Sequence, residues 1–402
     1  HRAEQTGITS EEYSGGIYWT DFRGPKRDGH YAGQELKLDW TQAEPKLLWK
    51  QPIGGGYSSF VIANGLAYTL EQRREFEAVV AYDLNTGHEV WTNSWKARFT
   101  ESEGMGGNGP RSTPTWHDGR VYALGALGEF RCLDAKTGTN IWSAHVLNDS
   151  KSSQLQFAST ASPIVINDKV IVLTGHPAGK HGHGVAAYNR TNGEPVWQSV
   201  KEKIAYASPT RFDSQLLIFS AFHVMGLNWN DGRMVWKHPW NVRYDNSIAQ
   251  PVILEDRRIF LSGSYGQGCE MLKIFPGKEN DSPQSLWKNK LLKNKFSSSI
   301  FHDGFIYGLD NNILVCLDSE TGRKQWKDGR YGYGQILLAQ GHIIIMCGDG
   351  DLALVKATPE EHIEVARFAA LNGKTWNYPA LADGKLLIRN HSEMACYDLS
   401  TD

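Results

Sequence analysis

The sequence lacks several features that would place it in a common functional class. Its 402 residues carry a formal net charge of -2, so there is no overall basic field of the kind that binds nucleic acid or an anionic membrane. No apolar run approaches the roughly 20 residues of a membrane-spanning helix. No stretch of convincing length has the periodicity of an amphipathic helix. These absences favour an all-β protein with no transmembrane segment and with no nucleic acid as a partner.

Cysteine is scarce as well. The five cysteines are an odd number, which argues against a complete disulfide framework. Cys132, Cys316 and Cys396 each stand two residues before the Asp of a repeated motif, where other copies have Ala81 and Ala187. The remaining two lie near strand ends or inside apolar runs. We therefore interpret the cysteines as small, inert strand residues.

The sequence does contain a repeated strand–turn–strand motif, which is clearest at Cys132–Trp142. Thr137-Gly138 supplies a tight turn in which glycine can take positive φ, and Ile141-Trp142 begins the next strand with a large ring. Close copies are Ala81–Trp91, Ala187–Trp197, Gly226–Trp236 and Cys316–Trp326. Two degenerate copies are Met271–Trp287, with its turn lengthened through Pro276-Gly277, and Leu354–Phe368.

The spacing of the copies predicts the fold. The copy at Cys396 is cut off by the end of the sequence, and its missing strand is found at Pro45–Lys50. The closing aromatic residues are Trp49, Trp91, Trp142, Trp197, Trp236, Trp287, Trp326 and Phe368, which stand 39 to 55 residues apart. A period of about 40 to 50 residues with four short strands per unit is typical of a β-propeller. We predict an all-β fold, an eight-bladed β-propeller of four-stranded antiparallel blades, with the ring closed by pairing of the N- and C-terminal strands.

We divide the chain into an N-terminal arm, residues 1–44, and a single propeller domain, residues 45–402. Tyr18–Gly29 is too rich in aromatic residues and turn formers for disorder or a helix, so we expect the arm to pack across one propeller face. The longest irregular insertion covers about residues 92–110. Its Glu101 and Glu103 are either calcium ligands or part of a solvated acidic loop.

The Ala/Cys-x-Asp-x-x-Thr-Gly-x-x-x-Trp copies resemble the tryptophan-docking repeats of the pyrroloquinoline-quinone-like (PQQ-like) propeller family. Phe22–Gly29 is similar to the start of many secreted bacterial members. The family includes quinone-dependent alcohol dehydrogenases and the propeller lipoprotein of the outer-membrane barrel assembly machinery. The resemblance covers almost the whole chain and implies a periplasmic or secreted location. The sequence begins at His1 without Met or an apolar leader, so we expect a mature or trimmed form.

The resemblance also bears on cofactors. In the family's dehydrogenases the quinone lies between a tryptophan floor and a ring of two adjacent disulfide-bonded cysteines, with calcium bound by acidic and amide side chains. This chain has no adjacent pair of cysteines, and no Glu, Asn and Asp set stands in matching motifs. We therefore expect no cofactor, with PQQ and calcium as the alternative.

A site is expected where the loops leading into the innermost strands gather around the channel mouth. The candidate ligand-binding residues there are Tyr57, Arg111, Asn246, Tyr333, Trp376 and Asn377. The alternative is a channel lined only by small polar residues and water. Arg111, Tyr333 and Trp376 favour a ligand, because a cation and flat rings can hold an anionic or planar group.

A histidine-rich loop is the candidate metal site. His176, His181 and His183 have side chains that zinc or copper binds. A solvated glycine-rich hairpin is the alternative.

No spacing of residues indicates a nucleophile or an acid–base pair, so we assign no catalytic residue. We expect an exported bacterial propeller that acts as a non-catalytic binding or scaffold module for a protein partner, peptide or small ligand. The competing hypothesis is a PQQ-dependent alcohol dehydrogenase-like oxidoreductase. Sugar recognition is a third possibility, suggested only by the aromatic share of 11%.

Overall fold

The computed structural model describes residues 18–275 and 283–401, and these residues form eight antiparallel blades around a central channel. Blades 1 to 4 consist of the strands Val61–Ala63, Leu66–Arg73, Phe76–Asp83 and Glu89–Lys96; Thr115–His117, Arg120–Leu124, Glu129–Asp134 and Asn140–His145; Ile164–Ile166, Lys169–Leu173, Val185–Asn189 and Pro195–Ser199; Thr210–Phe212, Gln215–Phe219, His223–Asn228 and Met234–Pro239. Blades 5 to 8 consist of Val252–Leu254, Arg258–Gly263, Gly268–Lys273 and Gln284–Asn289; Ile300–His302, Phe305–Asp310, Ile313–Asp318 and Lys324–Arg330; Gln335–Ala339, His342–Met346, Asp351–Lys356 and Glu364–Ala369; Ala380–Ala382, Lys385–Arg389, Glu393–Asp398 and Lys46–Pro52. The eight-bladed fold predicted from the sequence is therefore confirmed.

Few other elements interrupt the blades. The strand pair Ser152–Ser153 and His176–Pro177 lies beside blade 3, and a four-residue α-helix covers Val146–Asp149. Short 3-10 turns cover Glu103–Met105, Gly179–His181, Arg243–Asp245 and Glu255–Arg257. Within the described ranges, no helix has the length and apolarity needed to span a bilayer. The predicted long turn at Pro276-Gly277 lies outside the described residues.

The two ends of the chain close the ring together, as predicted. Lys46–Pro52 pairs antiparallel with Glu393–Asp398, and Trp49 stands opposite Cys396. The closing strand is the outermost strand of blade 8, whose three inner strands come from the C-terminal end of the chain. Closure of this kind ties chain ends together and leaves no open gap in the ring.

The repeated tryptophans hold neighbouring blades together. The Trp91 indole is buried and donates a hydrogen bond from Nε1 to the Ala135 carbonyl of blade 2, at 3.0 Å. Equivalent bonds to the next blade run from Trp49 to Leu84, Trp142 to Arg190, Trp197 to Trp229, Trp287 to Ser319 and Trp326 to Thr358. Trp236 differs, because its Nε1 donates to Gln215 Oε1 in its own blade. The motif therefore encodes contact between blades as well as the turn inside each blade.

A substitution at Gly138 tests how much the contact between the Trp91 ring and the next blade contributes to stability. Its φ is +70°, and a Cβ atom added there would lie 2.5 Å from the Trp91 ring. Gly119 has nearly the same φ, +72°, but open space around it. We expect Gly138→Ala to lower the free energy of unfolding by about 2 kcal/mol more than Gly119→Ala, because overpacking adds to the shared backbone strain. Urea unfolding of both variants measures the difference. Equal losses would show that backbone strain alone matters and that the indole contact does not.

The arm passes across the channel before the first blade. Trp19 forms a β-bridge with Ile62, and His30–Tyr31 pairs in parallel with Leu338–Ala339 of blade 7. Arg23 and Arg27 are almost fully buried and point into the ring of inner strands. There Arg23 Nη2 donates to the Ser299 carbonyl at 2.9 Å. The arm thereby places charged side chains and the Phe22 ring inside the channel.

The five cysteines are buried and free. Burial raises the pKa of the Cys132 thiol to about 11 and that of Cys316 to about 12. Raised pKa values leave little reactive thiolate at neutral pH. Buried thiols with raised pKa values act as packing residues of the core.

Candidate functional site

A cavity of about 500 Å³ lies in the channel on the side where the innermost strands begin. Phe22 from the arm and Tyr378 of blade 8 are both part of its lining, and their rings meet edge to face at 4.9 Å. Seven of the eight links that lead from one blade into the next inner strand contribute to the wall, and blade 7 contributes Gln335 from the start of its inner strand. The further lining residues are Tyr57, Gly104, Met105, Arg111, Gln156, Phe157, Thr160, Tyr206, Ser208, Tyr244, Asn246, Ile248, Gln250, Tyr265, Lys295, Phe296, Gln335 and Trp376.

The small polar residues at the starts of the inner strands bind neighbouring blades to each other. The Ser59 amide donates to Thr113 Oγ1 at 2.9 Å, and the Thr113 amide donates to Ser162 Oγ at 3.0 Å. The Ser162 amide in turn donates to Ser208 Oγ at 2.8 Å. These hydroxyls satisfy buried amides that no strand partner reaches. Much of the polar ring is therefore structural.

Large aromatic residues stand just before these small residues and face the cavity instead. Phe157, Tyr206, Tyr244 and Phe296 each precede a Ser or Asn by two positions, and Trp376 precedes Tyr378 in the same way. The same short links therefore supply hydroxyls that bond neighbouring blades, such as those of Ser208 and Ser298, and aromatic side chains that line the cavity.

The rings form two groups on different parts of the wall. In the first group the Trp376 ring centroid lies 5.9 Å from that of Tyr57 and 4.6 Å from that of Phe296. In the second group Phe157 and Tyr206 are 5.6 Å apart. At the rim, Tyr244 is 62% exposed and meets the Tyr265 ring edge to face. The cavity therefore offers several ring faces and edges to a flat ligand.

Positive charge accompanies the rings. The Arg111 guanidinium lies between Tyr57, at 5.5 Å from the ring centroid, and Phe157, at 5.8 Å. Burial lowers its pKa from the ordinary value. Lys295 Nζ lies 4.2 Å from the Tyr333 ring centroid, and Lys374 Nζ lies 4.7 Å from that of Trp376. None of the described lining residues is Asp or Glu. The cavity is consequently basic although the chain as a whole is nearly neutral.

Several polar atoms of the lining are buried and have no hydrogen-bond partner among the described residues. They are Tyr57 Oη, Arg111 Nε, Asn246 Oδ1 and Gln335 Oε1. Buried polar groups in folded proteins are nearly always hydrogen-bonded, so each exception needs an explanation. Four exceptions around one cavity indicate a place where a polar ligand or ordered water completes the bonding.

The structure brings together four of the six residues predicted to bind a ligand. Tyr57, Arg111, Asn246 and Trp376 line the cavity. Tyr333 is not part of the lining, although its ring lies 5.3 Å from that of Phe296, which is.

The sixth residue, Asn377, is directed away from the cavity wall. It is buried, and its Nδ2 donates to the Ser58 carbonyl at 2.9 Å. This bond joins blade 8 to blade 1, because Asn377 and Ser58 lie just before the inner strands of those two blades.

The histidine-rich loop lies between the second and third strands of blade 3. His183 Nε2 is 2.8 Å from Lys201 Nζ, and burial lowers the pKa of His183. His176 belongs to a short strand and His181 to a 3-10 turn. Among the described residues, no group of three or more His, Cys, Asp or Glu side chains is arranged for a metal ion. The metal site at these histidines therefore stays a sequence-based proposal.

Sequence reasoning missed several residues of the wall, among them Phe22, Phe157, Tyr206, Lys295 and Phe296. The recurrence of an aromatic residue two positions before the small polar residue was a usable signal for three of them. For Phe22 and Lys295 the sequence contains no comparable pattern. Their place in the wall depends on the path of the arm and on the direction of one side chain in a loop.

The fold and the cavity define a propeller of the PQQ-like class, and comparison with known proteins identifies the family. The family described as "Outer membrane protein assembly factor BamB" matches residues 75–328. This is more than half of the chain, and the chain belongs to that family.

Individual proteins show the same relationship at lower identity. The chain is 21% identical over 280 residues to an outer membrane protein assembly factor BamB from Yersinia pestis, covering 64% of this chain and 65% of that protein. It is 23% identical over 270 residues to a quinohemoprotein alcohol dehydrogenase from Comamonas testosteroni, covering 66% of this chain and 32% of that enzyme. A europium-containing methanol dehydrogenase superposes with a TM-score of 0.71 at 12% identity, covering 95% of this chain and 98% of that one. The chain thus spans less than two thirds of the two curated relatives, and the structural match concerns the fold alone.

The cavity does not fit a quinone held together with calcium. Calcium takes six to eight oxygen ligands, commonly including carboxylates. The described lining supplies amide and hydroxyl oxygens but no carboxylate, and it places Arg111 and Lys295 where a cation would be repelled. The buried cysteines form no disulfide ring.

Proposed function

We propose that the chain is a non-catalytic recognition module of the bacterial cell envelope that binds a partner or ligand at the channel mouth. The observation that carries this proposal is the set of four unsatisfied buried polar atoms around one aromatic cavity. Aromatic and arginine side chains are enriched at binding surfaces because they combine apolar area with a polar or charged end. Membership of the BamB family, whose description is that of an assembly factor, supports a protein-binding role and a periplasmic location.

The exposed rim offers a direct test in cells. A photo-crosslinking amino acid in place of Tyr244, which is 62% exposed beside the cavity, should give discrete products in the envelope of the host cell. A gel shift would report a protein partner, and a mass increment of the isolated chain would report a small ligand. The matched control is Val196, which is 45% exposed on the outer strand of blade 3. No product at position 244, or the same products from both positions, would contradict recognition at this face.

A second candidate function is a quinone-dependent oxidoreductase. The observation in its favour is the aromatic cavity within a fold that superposes on methanol dehydrogenase. Titration with PQQ, with and without calcium, distinguishes the two functions through quinone absorbance and quenching of the fourteen tryptophans. Saturable binding that depends on calcium would favour the enzyme. Because the lining lacks carboxylates, we expect calcium to add nothing.

A further inference from the structure

We propose that the cavity selects a carboxylate attached to an aromatic group, and that Arg111 and Lys295, rather than a metal ion, neutralise that carboxylate. This inference rests on the proposed function and names the chemistry of its ligand. For this selection the residues that line the cavity must meet two conditions. The cations must form no ion pair with a protein carboxylate, and the rings must stand beside them.

Arg111 meets both conditions. Its Nη2 donates to the Gly107 carbonyl at 2.8 Å, while its buried Nε has no partner among the described residues. Burial lowers the pKa of the guanidinium more than the negative charge of Glu101 raises it, and the two side chains form no ion pair. The guanidinium is held between Phe99, Tyr57 and Phe157. A largely buried charge without a directly paired carboxylate is costly, and an arriving carboxylate would offset that cost through charge-assisted hydrogen bonds.

Lys295 is the second cation of the lining. It forms no ion pair within the described ranges, and its ammonium lies 4.2 Å from the Tyr333 ring and 5.9 Å from Phe296. Phe296 is also in ring contact with Trp376. The ammonium therefore stands at one end of the first aromatic group, and Arg111 beside Tyr57 stands at the other end. An aromatic ligand against these rings would have a cation near either edge.

The absence of acidic side chains from the described lining gives this arrangement its selectivity. A neutral aromatic molecule would gain ring contacts but would leave both charges unpaired. An anionic aromatic molecule gains the ring contacts and the pairing. The unsatisfied Asn246 and Gln335 carbonyl oxygens add acceptors for N–H or O–H groups of the ligand.

The experiment compares two probes of the same shape, 2-naphthoate and the neutral 2-naphthamide, by calorimetry in the presence of EDTA. We expect 2-naphthoate to bind at least tenfold more tightly.

Arg111→Met and Lys295→Met should each weaken naphthoate binding at least tenfold and leave naphthamide binding nearly unchanged. Arg111→Lys, which keeps the charge, should retain part of the affinity. The control is Arg211→Met, which removes an exposed arginine 4.8 Å from the Trp229 ring and outside the cavity lining; it should bind like the wild type.

Two peptide probes distinguish the source of the carboxylate. Gly-Ser-Gly-Trp with a free C-terminus carries the same chemistry on a polypeptide, and its C-terminal amide does not. Binding of the free acid tighter than naphthoate would support a polypeptide terminus as the source, and binding of naphthoate alone would support a small aromatic acid.

Equal affinity for naphthoate and naphthamide, or unchanged naphthoate affinity in both methionine variants, would overturn the selection of an anion. A requirement for calcium would overturn neutralisation by the two side chains. No binding of any probe would also overturn the inference. None of these results decides the proposed function, because crosslinking at position 244 tests that independently.

Discussion

Arg27→Met is expected to lower the free energy of unfolding by about 3 to 5 kcal/mol, the range typical of breaking a buried ion pair from one side. Arg27 is 3% exposed and donates from Nε and Nη2 to Asp21 Oδ1, at 3.1 and 2.9 Å. It also donates to the carbonyls of Ser162, Pro163 and Pro209. Methionine keeps much of the length but none of the donors. The variant would leave the Asp21 carboxylate without its paired cation, and it would remove the Arg27 donors to the Ser162 and Pro209 carbonyls.

Urea unfolding of three variants separates the causes. The double variant Asp21→Asn with Arg27→Met should recover part of the loss, because no unpaired charge is then buried. Arg98→Met is the matched control, since Arg98 and its partner Glu75 are 47% and 56% exposed. It should cost less than about 1 kcal/mol. If Arg27→Met costs no more than Arg98→Met, the arm does not hold the inner strands together as its contacts indicate.

The fold could be predicted from the sequence because each copy of the motif contains the determinants of its own turn and of its contact with the next blade. Asp134 caps its turn through bonds from the Lys136 and Thr137 amides, and Gly138 leaves room for the Trp91 ring to pack against the turn. Such local patterns recur at similar spacing and are visible without coordinates. The same reasoning located the closing strand at Trp49 from its apolar and aromatic residues alone.

The site could be predicted only in part, since its members come from links far apart in the chain. Tyr57 and Trp376 are in contact although 319 residues separate them. The sequence indicated where links reach the channel, but the choice between facing the cavity and joining blades depends on side-chain direction. Asn377 and Trp376 are neighbours, and only Trp376 lines the cavity.

The burial of the arm arginines was not predictable for a different reason. Arg23 and Arg27 lie in a segment rich in glycine, proline and charge, which ordinarily indicates an exposed loop. Both adopt left-handed φ, +65° and +60°. Arg23 donates to the Asp28 carbonyl within the arm, but its bond to Ser299 and the bonds of Arg27 to Ser162 and Pro209 require inner strands that converge on one axis. A ring of converging strand starts provides acceptors that no single blade contains.

Glu77→Gln is expected to remove a pH dependence of stability worth up to about 3 kcal/mol. Glu77 is fully buried, and burial raises its pKa from 4.5 to about 7, although hydrogen bonding from the Ala126 amide opposes the shift. In the unfolded chain the carboxyl ionises at its ordinary pKa. Stability is therefore greatest below about pH 4.5, falls as pH rises to about 7, and loses no more from this group above that. A shift of this size corresponds to about 3 kcal/mol at 1.36 kcal/mol per pKa unit.

Glutamine keeps a carbonyl oxygen for the Ala126 amide but does not ionise, so the variant should gain stability relative to the wild type between pH 4.5 and pH 8. Urea unfolding of both proteins at these two pH values gives the change as a difference, in which the other titrating groups largely cancel. Glu75→Gln controls for the loss of one charge from the same hairpin and should change stability by less than about 1 kcal/mol at either pH. Ala126 also connects Glu77 with the cavity wall. Its amide donates to Glu77, and its carbonyl accepts from the Ser159 amide and from Gln154 Nε2, both at 2.9 Å, in the link that carries Phe157. A constant difference between variant and wild type would mean that Glu77 is ionised throughout this range and that water or a cation reaches it.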